Sequence, residues 1–279
     1  MSCPNGASAT SEKGFDTAAL RDTRQDNLGR PPLIGLFRAV AYSQLEFCTR
    51  PCLQAEASVG VMAWHLIFKE LGVVMVQVWS DFVCPFCMIA EQPLREAVQA
   101  VGLPVDIEWM PFELRPYPTP TLRPEGSYLQ TVWPQSVYPV AERFGVRLRL
   151  PSVSPQPYTA LAWQGYRYAR ANGQSQGQSH DQGQTYNHRV LQAFFQEDQD
   201  IGRIDVLAKI ASSAGLDAVD FEAALRDGRY REAHEQSLAM ARSQGVSAVP
   251  AFLIGQRWLP GVQDARTLER ALREAVDLS

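Results

Sequence analysis

The chain has 279 residues, 46% of them hydrophobic and 20% charged, with a formal net charge of −4. That composition belongs to a folded globular protein with room for one good core or two domains, and it lacks the basic footprint of a nucleic-acid binder. The longest apolar stretch, Val59 to Phe68, carries His65 and runs into Lys69-Glu70, which is too short and too interrupted to span a bilayer.

Met1 to Pro32 is polar and of mixed charge, the pattern of a poorly ordered segment. Leu33–Cys52 and Ala57–Leu71 have apolar residues enough for two short helices, without a firm period. Cys48 and Cys52 read as free thiols, since Pro51 argues against a helix that would face them together. Met75 opens the first strand directly, and Lys occurs only at 13, 69 and 209 among many Arg, a bias of GC-rich coding. Residues 1–74 therefore read as an upstream mis-read start or a dispensable extension, with 1–72 lying outside the folded unit. An intact mass matching a start at Met1 would contradict this. The N-terminus also lacks the basic start and apolar stretch of a secretory signal. A cytoplasmic, reducing setting is expected, in which cysteines work by cycling rather than as staples. Five cysteines at scattered spacing make no disulfide framework.

From Val73 the pattern sharpens. A β-branched run predicts a strand at Met75–Trp79, broken by Ser80-Asp81. Cys84-Pro85-Phe86-Cys87 then opens a helix, Cys84–Val101, closed by Gly102 with Pro104 beyond. Free N–H groups and the positive end of the helix dipole favour a thiolate at Cys84, and Pro85 suits the first helical turn. Cys87, three residues on, lies on the same face and can close a disulfide with Cys84. Cys84 is then the attacking sulfur and Cys87 the resolving one. A structural zinc would need four ligands, and no second C-x-x-C or paired His follows. Asp81 reads as a cap of the dithiol helix or its preceding turn, with proton transfer to Cys87 as the alternative. Trp79 reads as core.

A second strand, Val105–Met110, completes a βαβ unit, and Pro111 to Pro124 is a proline-rich connector. Helices are predicted at Ser127–Phe144, Tyr158–Ala171, Tyr186–Gln196, Ile204–Ala214, Asp220–Asp227 and Tyr230–Gln244. The polar run Gln174 to Gln184 reads as a loop. The tail returns to strands at Ala251–Ile254 and Arg257–Leu259, joined by a Gly255-Gln256 turn, before an amphipathic helix at Thr267–Val276. Residues 73–116 and 245–279 thus form one α/β unit, and 117–244 form an inserted helical domain.

Trp79 to Cys87, Ala248 to Ile254 (Ala-Val-Pro-Ala-Phe-Leu-Ile) and Gly261-Val262-Gln263 resemble the DsbA-like thioredoxin superfamily, most of all its cytoplasmic FrnE-type oxidoreductases. Asn187 to Leu207 is similar to that branch's helical insert. The likeness covers about Met75 to Val276 and implies a thioredoxin-like fold with a helical domain inserted between its βαβ and ββα halves. It implies a thiol–disulfide oxidoreductase acting on protein or small thiols, as a monomer or homodimer, without a cofactor beyond the redox-active disulfide and with glutathione as a candidate co-substrate. It also implies a cis Pro250 against the dithiol and a Val249 backbone that binds extended substrate. Taken alone, Val249-Pro250 is equally a trans proline at a strand entry. Strongly oxidising members have histidine where this chain has Phe86. With no charge there, a potential of roughly −150 to −250 mV is expected. Phe86 itself is either an apolar substrate contact or a core-facing ring. The alternatives are a glutathione-dependent isomerase or transferase of the hydroxychromene-carboxylate isomerase or kappa-class type, which generally have Ser in place of Cys84, and a redox-controlled binding protein.

Overall fold

The computed structural model describes residues 73–172 and 182–277. Expectations for residues 1–72, Cys48 and Cys52 among them, lie outside the described residues, as does most of the Gln174–Gln184 run.

Two parallel strands, β1 (Val74–Ser80) and β2 (Val105–Pro111), flank the helix α1 (Pro85–Val101). Their register pairs Val76 with Ile107 and Val78 with Trp109. After the helices come β3 (Ala251–Ile254), antiparallel to β1, and β4 (Arg257–Pro260), antiparallel to β3. The sheet order is β2-β1-β3-β4, so the strand leading to the dithiol is central. Its β-branched residues suit a position with both neighbours paired. Gly102 closes α1 in the left-handed conformation at φ 63°, which a glycine adopts without a Cβ penalty.

Between β2 and β3 the chain forms α2 (Ser127–Val132), a π-helical turn (Trp133–Val137), α3 (Tyr138–Arg143), α4 (Ala160–Asn172), α5 (Gln182–Phe195), α6 (Ile204–Ser213), α7 (Ala218–Arg226) and α8 (Arg231–Ser243). The single helix expected over Ser127–Phe144 is in fact three pieces. Pro134 and Pro139 lack the N–H that α-helical pairing needs, and the ladder shifts to a wider turn there. Gln182 to Gln184 were expected in a loop and are the first turn of α5 instead. Gln184 accepts from the Trp109 indole N–H at 2.6 Å and donates to the Ile107 carbonyl.

The closing helix α9 (Ala265–Asp277) packs along α1, burying Leu268, Ala271 and Leu272. One continuous hydrophobic cluster joins Val76, Val78, Ile89 and Leu94 of the βαβ unit to Trp163, Tyr166, Phe194 and Phe221 of the helices. Among the described residues no helix is long and apolar enough to cross a membrane.

Candidate functional site

The site sits where β1 ends and α1 begins. Cys84 occupies the N-cap position in extended conformation, with no side chain capping the helix, and Pro85 follows in the first turn. The Cys84 N–H donates to the Asp81 carbonyl at 3.0 Å, and the Cys87 N–H donates to the Cys84 carbonyl at 3.1 Å. These bonds close two successive turns and bring the two sulfurs to one side of the helix. Both are thiols. Cys84 is 4% exposed and Cys87 fully buried, so only the first can meet a partner from outside.

Across from Cys84 lies the loop before β3. The Val249–Pro250 bond is cis, and the Cys84 thiol donates to the Val249 carbonyl at 3.7 Å. The Gly261 N–H, in a turn with φ 75°, holds the Pro250 carbonyl at 2.8 Å. Gly261 thus anchors the proline loop.

A cavity of about 240 Å³ opens beside Cys84, lined among others by Phe86, Val249, Asp81, Leu114 and Thr159. Of the residues singled out from sequence, Asp81, Cys84, Pro85, Phe86 and Val249 line this space, whereas Cys87 and Pro250 stand behind it. Phe86 is half-buried, packed against the edge of the core and lining the cavity. Trp79 lies wholly inside, its ring 4.7 Å from that of Trp258.

Asp81 does not cap α1 itself but does cap the turn before it, its carboxylate facing the Val83 N–H. Its carboxylate also accepts the Leu114 N–H at 2.8 Å, with Thr159 facing it as well. Burial pushes its pKa up to about 7, against the lowering effect of the Leu114 N–H and Thr159, and the nearby Glu113 adds a like charge. Glu113 is itself buried against His234 of α8, Oε1 to Nε2 at 2.6 Å. Burial holds the Cys87 thiol well above its ordinary range, the Cys84 sulfur adds to this, and the Ser80 hydroxyl and Asp81 N–H work in the opposite direction.

Leu114, Leu122, Tyr128, Trp133, Gln156 and Thr159 also line the cavity, and none of them was singled out from sequence. They come from the proline-rich connector, the first turns of the helical region and the irregular segment before α4. A non-periodic segment carries no signal of where it lands, so only the fold reveals that it roofs the dithiol.

The comparisons with known proteins agree with this geometry. A family model described as a DsbA-like thioredoxin domain matches residues 75–273. The chain is 42% identical over 203 residues to the uncharacterized protein YwbO of Bacillus subtilis, which covers 72% of this chain and 96% of that one. A probable DsbA oxidoreductase of Streptomyces coelicolor superposes with a TM-score of 0.58 at 20% identity, over 74% of this chain and 91% of the other. A 2-hydroxychromene-2-carboxylate isomerase gives 0.56 at 20% identity, over 74% and 99%. The cytosolic disulfide reductase DsbM of Pseudomonas aeruginosa, solved with GSH, gives 0.50 at 18% identity, over 73% and 96%. At these identities the structural likenesses speak to the fold alone.

Proposed function

The chain belongs to the DsbA-like thioredoxin-domain family, and on that premise we propose that it is a thiol–disulfide oxidoreductase whose working pair is Cys84 and Cys87. The observation that carries this reading is the asymmetry of the two sulfurs. Cys84 lies at a helix start on an open cavity, and Cys87 lies one turn behind it with no exposure of its own.

In the reductive direction, the Cys84 sulfur attacks a substrate disulfide, forming a bond to one substrate sulfur and releasing the other as a thiol. Cys87 then gives up its proton and attacks Cys84, and the remaining substrate sulfur leaves. The protein pair ends as a disulfide and the substrate as two thiols. The oxidative direction is the reverse. Asp81, with a pKa near 7, is suited to accept and return the Cys87 proton. Cis Pro250 presents no N–H to the sulfurs, and the Val249 backbone can pair with an extended substrate.

The FrnE-type branch, a cytoplasmic setting and protein or small thiols as partners, glutathione among them, complete the reading. Its support is the C-P-x-C motif on a thioredoxin-like sheet with helices between β2 and β3. A glutathione-dependent isomerase or transferase is the second reading, favoured by the pocket beside a single accessible sulfur. The presence of Cys87 behind Cys84 argues against it, because that chemistry needs no resolving thiol.

Reduction of insulin disulfides separates the two. Cys84→Ser is expected to abolish turnover, and turnover unchanged by that substitution overturns the oxidoreductase reading. Glutathione binding with no cycling of the dithiol would favour the isomerase or transferase instead.

A further inference from the structure

Ser80 ends β1 on the face that Val76 and Val78 direct into the core, the face packed under α1. It has no exposed surface, and its hydroxyl makes no hydrogen bond with standard geometry. That hydroxyl faces the Cys87 thiol. A buried hydroxyl left without an acceptor is uncommon and asks for a reason. A neutral thiol is a weak acceptor, whereas a thiolate is a strong one. The Cys87 sulfur is thus a weak acceptor for this hydroxyl as a thiol and becomes a strong one once ionised.

We propose that Ser80 is a catalytic residue of the resolving step, its hydroxyl donating to the Cys87 thiolate that forms once a substrate is held on Cys84. The inference rests on the thiol–disulfide reading of the site. In that step the Cys87 S–H bond breaks and its proton passes to the Asp81 carboxylate. A bond forms between the Cys87 and Cys84 sulfurs, the bond from Cys84 to the substrate sulfur breaks, and the substrate leaves as a thiolate. The dithiol loses two electrons and the substrate disulfide gains them. Ser80 exchanges no proton with bulk water. It supplies one donor and the Asp81 N–H a second, bracketing a sulfur whose negative charge burial would otherwise oppose. Were packing the only requirement at this position, an apolar side chain would serve better, as it does at Val76 and Val78.

A symmetric aromatic disulfide, dithiobis(nitrobenzoate), reads the two steps separately. Mixed with reduced protein, it releases one coloured thiolate when Cys84 attacks and a second when Cys87 resolves. Ser80→Ala is expected to leave the first phase unchanged and slow the second about tenfold, the effect of losing one charge-assisted hydrogen bond. Ser80→Thr, which keeps the hydroxyl, is expected to restore the second phase. A second phase unchanged in Ser80→Ala, or slowed equally by Thr, overturns the role given to Ser80 while leaving the oxidoreductase reading intact. Failure of that broader reading looks different: no second release from the unaltered protein, or a first release that persists in Cys84→Ser.

Discussion

Asp81 shows how one buried carboxyl can link stability to chemistry. Its pKa is raised from 3.8 to about 7 by burial, so the folded chain keeps a proton there that the unfolded chain gives up. Between about pH 4 and 7 the unfolded state therefore binds fewer protons, and stability falls as pH rises through that window, then levels off. Asp81→Asn removes the titration. It is expected to stabilise the protein at pH 8 by roughly 1–4 kcal/mol and to change little at pH 4, as chemical denaturation at the two pH values would show. The same substitution is expected to slow the resolving phase and flatten its rise between pH 6 and 8. A variant as pH-dependent as the parent would remove Asp81 from the proton path. The sequence marked Asp81 as notable from its place beside the dithiol, but not its partner. Leu114 is 33 residues away, on a connector without periodicity.

At the scale of elements, the site depends on what clamps that connector. His234 of α8 and Glu113 are both nearly inaccessible and hydrogen-bonded, next to the Leu114 N–H that Asp81 accepts. His234→Ala leaves a buried carboxylate without its partner and is expected to cost about 3–5 kcal/mol, measured by denaturant unfolding. A cost below about 1 kcal/mol would mean that water replaces the ring freely. Packing between α4, α5 and α7 is equally unforgiving at Gly165, where a Cβ would meet the Tyr186 ring and lie 2.7 Å from Phe221. Gly165→Ala is expected to destabilise by roughly 1–3 kcal/mol.

The elements carrying the dithiol were legible because local signals agreed there. A β-branched run, a proline in the first helical turn and a glycine at the helix end all pointed one way. Over Ser127–Phe144 the apolar spacing favours one helix, whereas the missing donors of Pro134 and Pro139 divide it. At Gln182–Gln184 the polar composition suggested a loop, yet tertiary hydrogen bonds from Gln184 to Trp109 and Ile107 favour the helix.

Across the whole molecule, the sheet and the helical insertion share one hydrophobic cluster. Residues 73–116 with 245–279, and 117–244, are divisible in sequence but joined in packing. A single cooperative unfolding transition, coincident by sheet and helix probes, is expected, and two separated transitions would show independent domains. Residues of both segments line the cavity beside Cys84, while Cys87 is enclosed. On the proposed function these two sulfurs form one reversible couple. Equilibrating the protein in glutathione buffers of graded ratio, then alkylating the free thiols and weighing the products, tests it directly. The expected result is a two-electron transition between the dithiol and a Cys84–Cys87 disulfide, with a midpoint of roughly −150 to −250 mV. Two sulfurs that never join, or a Cys84 that stops as a glutathione adduct at every ratio, would contradict it.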